Sequence, residues 1–390
     1  MPRILLLTGK GGVGKTTTAA ATALLAADCG HRTLVLSTDP AHSLADAFDT
    51  ALGPEPTAIT GSLFGQQLDA QARLETSWST LRAYLAALFR WAGIEAIEAE
   101  ELSVLPGLDE VFALSDLHEH VTSGKWDVIV VDCAPTAETL RLLSLPEILS
   151  WWMERLFPIG RQLSKIFAPS IGRVTAMPVP DGDVFDALKR FYDRIDSVRT
   201  VLSDPAQTSV RLVVNPERMV IAEARRTYTY LSLFGYRVDA VVVNRLLPDE
   251  VADPWFDRWK ATHAAHLAEI GEAFAPLPVL KARLADRELV GVEALRGLGR
   301  ELFGDDDPSV AMHEGSVLEV TQREGAWVLA LELPFAERDD VALSRKGDEL
   351  LVTIGGQRRA ILLPDSLRRR RVTDAVVHGG RLEVVFGAAS

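Results

Sequence analysis

An apolar run, RILLLT (3–8), leads directly into a glycine-rich loop, GKGGVGKTT (9–17), and a helix-forming stretch, TTTAAATALLAADCG (16–30), follows at once. A strand that opens through glycines into a helix points backbone N–H groups and the positive helix end at one spot, which suits a phosphate. Gly9, Gly14, Lys15 and Thr16 stand at the spacing of a G-x-x-x-x-G-K-T loop. In such a loop Gly11, Gly12 and Gly14 let the backbone close around phosphate oxygens where a Cβ would collide. Lys15 reaches the β- and γ-phosphates of ATP, and the Thr16 hydroxyl ligates Mg²⁺. Val13 and Thr17 complete the binding loop. Lys10 is a second ammonium beside the triphosphate, to be either aimed at it or kept away.

Four further runs, RTLVLSTD (32–39), WDVIVVDCAP (126–135), VRLVVN (210–215) and AVVVNRL (240–246), are continuously apolar rather than alternating. Strands buried on both faces read this way, so the expected fold class is α/β, a doubly wound parallel sheet of the P-loop NTPase type with helices on both sides. Gly30 and Gly235 sit where helices at 16–30 and 220–235 should stop. Helical insertions are expected at about 60–125 and 140–200. An acidic connector, GDDDPS (304–309), ends this first domain at about residue 303. After a connector over 304–313, residues 314–390 alternate in short segments broken by Gly, Pro and Asp, the pattern of a small all-β sandwich.

Two carboxylates fall at strand ends, where open α/β sheets bind ligands. Asp132 ends VIVVD and is placed to act on Mg²⁺, directly or through water. Asp39, in STDPAHSL, either orients and deprotonates an attacking water or caps a helix starting near Ala41.

Taken together, KGGVGKTT, STDPAHSL, VVDCAPTAETLRLLSLPE, LPGLDEV, SWWMERLFP, VVVNRLLP and ELVGVEALRGLG resemble the arsenical-pump ATPase (ArsA-type) family. That family includes the ATPases that target tail-anchored membrane proteins. The resemblance spans about residues 1–303 and implies a dimeric ATPase with a deviant P-loop. It gives Lys10 a role: the lysine crosses the dimer interface to the partner's nucleotide, as an arginine finger does. It also implies that Asp39 activates water, that Asp132 opens the second switch (with Cys133 where the family usually has Thr), and that Asn244 reads adenine. The other adenine-flanking segment matches RLADRELVG, so Arg283, in place of a family proline, and Leu284 would flank the base.

Composition limits the partners. The net charge of −13 argues against nonspecific nucleic-acid binding. No run of about 20 apolar residues could span a bilayer, nor does the start of the chain read as a secretory signal, so a cytoplasmic location is expected. The two cysteines, Cys29 and Cys133, supply neither the thiolate cluster that As(III) requires nor the C-x-x-C zinc pair of the targeting relatives. The reading is therefore a homodimeric, nucleotide-switched ATPase that binds hydrophobic, membrane-helix-like clients as a chaperone or targeting factor. The resemblance leaves open a membrane receptor as a further partner. An arsenical-pump subunit and a partition or positioning ATPase are the alternatives. Trp151, Trp152, Met153, Leu156, Phe157 and Phe167 either line a client groove or pack a helical subdomain.

The C-terminal stretch LPDSLRRRRVTDAVVHGGRLEVVF resembles the end of an α-crystallin (small heat-shock) domain, carried by Leu363-Pro364, Ala375 and Gly380-x-Leu382. The I-x-I anchoring tail of that family is missing, so large shells of subunits are not expected. Arg368 to Arg371 read either as a docking patch for an acidic surface or as a solvated edge that resists strand pairing.

Overall fold

In the computed structural model, which describes residues 1–39, 43–67, 108–134, 136, 182–323 and 325–389, the five apolar runs all become strands of one sheet. They are β1 (Arg3–Thr8), β2 (Thr33–Ser37), β5 (Val128–Asp132), β6 (Thr208–Val214) and β7 (Val238–Leu246). Three more strands join them: β3 (Thr57–Thr60), β4 (Leu63–Gln67) and β8 (Val279–Arg283). The order is β3-β4-β2-β5-β1-β6-β7-β8, parallel throughout except for the β3–β4 hairpin.

The first of these helices is α1 (Lys15–Asp28), between β1 and β2; α2 (Ser43–Phe48) follows β2. Beyond them lie α3 (Leu108–Thr122), α4 (Gly182–Ser203), α5 (Arg218–Phe234), α6 (Asp257–Ala273) and α7 (Val292–Phe303). The chain runs from β1 to β2 in one direction across the sheet and from β6 to β7 in the other. Right-handed crossovers then put α1 and α5 on opposite faces. Both terminate as expected. At Gly30 (φ 96°) the N–H groups of Gly30 and His31 return to Ala27 O and Ala26 O, closing the orphan carbonyls of α1.

One expectation needs correction. The insertion from residue 60 does not begin as helix, because β4 occupies Leu63–Gln67 and pairs in parallel with β2. Its sequence, LFGQQ, hides the strand: Gly65 interrupts the apolar run because a Cβ there would come within 2.7 Å of Ile59 Cδ1. From Leu108 onward the described part of that insertion is helical, as expected.

The C-terminal region forms two antiparallel sheets. β9 (Leu318–Arg323), β10 (Ala326–Glu332), β14 (Arg370–His378) and β15 (Arg381–Ala389) make one, in the order β14-β15-β10-β9. β11 (Val341–Lys346), β12 (Glu349–Ile354) and β13 (Gln357–Leu362) make the other. Leu329, Leu331, Val352, Ile361, Val384 and Phe386 fill the space between them, and Leu233 of α5 is buried in the same cluster. The sandwich is thus docked on the end of α5 remote from the glycine loop. Thr229 Oγ1 donates to Pro334 O, and Arg359 donates to Leu233 O (2.7 Å). Within the arginine run, Arg368 donates to Leu363 O and Arg370 to Ser366 O and Gly387 O, so these two serve the sandwich itself.

The acidic connector is fastened at the amino ends of β1, β6 and β7, also remote from the glycine loop. Arg211, with no exposed surface, donates to Asp239 (3.2 Å) and to the carbonyls of Pro308 (2.7 Å) and Val310 (3.3 Å). Arg3 holds Ser309 O at 2.9 Å, and Met312 N–H donates to Asp239. His31 meets Asp307 at 2.7 Å.

Candidate active site

The glycine loop lies at the carboxyl ends of β1, β5 and β2, where Leu7 and Ser37 are both in register with Asp132. Two glycines are demanded by the chain itself. At Gly9 (φ 155°) a Cβ would stand 2.2 Å from Val213 O, and at Gly14 (φ 94°) one would stand 2.2 Å from Asn244 Nδ2. At Gly11 and Gly12, by contrast, a Cβ would meet nothing within 4 Å. The loop is therefore open on that side, as a cradle for an external group must be.

Lys15 is buried, and its ammonium donates back to Lys10 O at 3.3 Å. Lys10 spends its carbonyl on that bond; among the described residues its own ammonium has no ion-pair partner. Asp132 has no exposed surface. Ser37 Oγ donates to its Oδ2 (3.3 Å), while Oδ1 has no hydrogen-bond partner among the described residues. Burial pushes the Asp132 carboxyl up to about 7; the Thr16 hydroxyl and the Lys15 ammonium act against that rise, and the charge of Asp39 adds to it. A buried carboxylate oxygen without a partner, next to a threonine hydroxyl, is the hard oxygen set that Mg²⁺ takes. Asp39, half-buried at the end of β2, donates its N–H to Ser37 Oγ, which ties it to the same strand end.

Beside Gly14, Thr16 and Thr17 opens a cleft of about 520 Å³, lined also by residues 283–290. The cleft brings together Asn244, Arg283 and Leu284. Asn244 is buried and doubly engaged: Nδ2 donates to Val13 O (2.9 Å) and Oδ1 accepts from Arg245 N (2.9 Å). Its side chain thus fastens β7 to the glycine loop. The Arg283 guanidinium is drawn to Glu301 (3.0 Å) and Glu250 (3.6 Å), while Leu284 is 44% exposed. Sequence reasoning missed Arg245, which lines the cleft in a left-handed backbone conformation (φ 59°); VVVNRLLP shows the residue but no sign of the turn. It also missed Asp46, whereas Leu289 and Val290 belong to the RLADRELVG segment that the sequence singles out. The groove candidates Trp151, Trp152, Met153, Leu156, Phe157 and Phe167 lie outside the described residues.

A parallel sheet whose first strand opens through this loop, with a buried aspartate at the neighbouring strand end, defines a P-loop nucleotide hydrolase. Residues 2–304 match the Anion-transporting ATPase family, and residues 324–386 match the HSP20-like domain found in ArsA. The chain belongs to the ArsA ATPase family and is an ATPase with an appended HSP20-like sandwich. It is 39% identical over 387 residues to a putative arsenical pump-driving ATPase of Chlorobaculum tepidum, covering 98% of this chain and 96% of that one. A putative arsenical pump-driving ATPase 1 of Aquifex aeolicus is 36% identical over 379 residues (94% and 95% of the two chains). The ATPase ASNA1 homolog 1 of Paramecium tetraurelia is 29% identical over 295 residues, which cover 74% of this chain and 88% of that protein.

Proposed function

We propose that the chain acts in the cytoplasm as a nucleotide-switched homodimer that couples ATP hydrolysis to the binding and release of apolar, membrane-helix-like clients. Residues 1–303 form the ATPase, 304–313 the connector and 314–390 the sandwich. The loop Gly9–Thr17 holds the phosphates, with Lys15 on the β- and γ-oxygens, and the cleft at Asn244, Arg283 and Leu284 takes the base. Because Arg283 is engaged by two carboxylates, Leu284 supplies the contact from its side. Thr16 and Asp132 would hold Mg²⁺, which supplies charge neutralisation at the β- and γ-phosphates. Asp39 takes a proton from water as its oxygen attacks the γ-phosphorus, and the bond to ADP breaks.

Lys10 of each protomer completes its partner's site, so turnover requires two closed subunits. One observation carries this reading. The Lys10 ammonium finds no ion-pair partner among the described residues of its own chain, although it stands inside the phosphate loop. Client binding is supported by the resemblance to the targeting ATPases and by the ASNA1 relative. Among the described residues no helix is long and apolar enough to cross a membrane.

The test is capture: Asp39→Asn protein held on ATP should retain apolar helices and release them far more slowly than the unmodified chain. Release at the normal rate would break the coupling. The names of the bacterial relatives favour a second reading, a pump-driving subunit for arsenicals. It predicts that arsenite accelerates turnover. With Cys133 buried and Cys29 at the far end of α1, no such acceleration is expected.

A further inference from the structure

Arg245 occupies a conformation that its side chain makes costly. At φ 59° it is one of three non-glycine residues with positive φ among the described residues, and it lies immediately after Asn244 at the edge of the cleft. Such strain persists only where surrounding bonds over-determine it, and it concentrates at ligand clamps. The determining bonds are present here. Asn244 Oδ1 holds the Arg245 N–H while Asn244 Nδ2 holds Val13 O, so one amide locks the turn to the phosphate loop.

Three arginines line the cleft: Arg245, Arg283 and Arg287. Arg283 is spent on Glu301 and Glu250. Arg245 and Arg287 are both exposed and make no ion pair among the described residues; of the two, Arg245 is the one held in a left-handed turn against Asn244. The cleft lining also includes apolar surface that the chain leaves uncovered, Leu284 at 44% and Val290 at 47% exposure. An uncommitted planar cation beside exposed apolar surface suits a flat, π-rich ring better than a phosphate.

We propose that Arg245 is a nucleotide-binding residue whose guanidinium stacks on the base of the bound nucleotide. The left-handed turn is kept because it aims that side chain into the cleft. This inference rests on the reading of the cleft as the base pocket, and the experiment separates the two.

Full-length protein is titrated calorimetrically with MgADP and, separately, with magnesium tripolyphosphate, which has phosphates but no base. Arg245→Gly should weaken MgADP about fivefold to thirtyfold, the span from an exposed to a desolvated cation–π contact, and leave tripolyphosphate within about twofold. Because glycine adopts this φ freely, its melting temperature should not fall. Arg245→Lys, which keeps the charge and loses the plane, should lie between. Unchanged MgADP affinity in Arg245→Gly overturns the proposal, and so does an equal loss for both ligands, which would make Arg245 a phosphate contact. Failure of the unmodified protein to bind MgADP while it binds tripolyphosphate would instead remove the base pocket itself.

Discussion

The two ends of the central sheet treat charge in opposite ways. At the amino ends of β1, β6 and β7, Arg3, Arg211 and Asp239 are bonded to one another and to the carbonyls of the connector. Burial brings the Arg3 guanidinium down to about 10, with Asp239 acting against that fall, so it stays charged at neutral pH. At the carboxyl ends, Lys10 and Arg245 have no ion pair within the described residues, and Asp132 keeps one buried oxygen unpartnered. Charge tied up within the chain is scaffold, and its loss should cost stability. Charge held ready without a partner is for something outside the chain, and its loss should cost function while the fold stands.

The sharpest way to break this contrast is at Lys10. Truncation to alanine should reduce ATP turnover by about 10³-fold, the lower range for a cation supplied in trans, while leaving MgADP affinity and melting temperature nearly unchanged. Mixing Lys10→Ala with Asp39→Asn protein should restore turnover to at most about a quarter of normal. Only the mixed dimers gain a complete site, and they gain one of two. Full turnover by Lys10→Ala, or by a strict monomer, would remove the trans contact and with it the proposed switch.

The same contrast explains what could be read from the residues alone. The five strands with continuous Val/Ile/Leu runs announce themselves because both faces are buried. β4 does not, because Gly65 interrupts it, and β8 does not, because it is a half-exposed edge strand. In the candidate site, Gly9, Lys15, Thr16 and Asp132 could be singled out because their types and spacing follow a phosphate-loop pattern, and the structure gathers them at neighbouring strand ends. Arg245 could not be, since its significance lies in a backbone angle set by a side chain from the preceding residue and a carbonyl 231 positions away from that residue. The connector read only as an acidic linker because its anchors, Arg3 and Arg211, lie far upstream in sequence and its own contribution is mainly backbone carbonyls.

At the scaffold end the largest effect is expected from Arg211→Met. The substitution leaves Asp239 buried with only the more distant Arg3 as a cationic partner, and frees the carbonyls of Pro308 and Val310. Removing one member of a buried pair costs about 3–5 kcal/mol, a fall in melting temperature of roughly 5–10 °C. MgADP affinity should be unaffected. A variant with normal stability would show that the connector is held elsewhere.

The weakest expected effect is at His31–Asp307, and it carries a distinctive pH dependence. Burial raises the Asp307 carboxyl, but hydrogen bonds from His31 and from the hydroxyl and N–H of Ser309 outweigh it, so the net shift is downward. A carboxyl depressed on folding stabilises the fold above its unfolded value of about 4, and that contribution disappears as pH falls through the lower folded value. Both side chains are about one-third exposed, so solvent screens the contact and the loss should be small. Asp307→Asn should therefore lower the melting temperature by about 1–2 °C at pH 6, with the difference disappearing as pH falls through the depressed folded value of the Asp307 carboxyl. A difference that persisted undiminished in acid would mean that Asp307 contributes through connector geometry, by capping the Ser309 N–H, rather than through its charge.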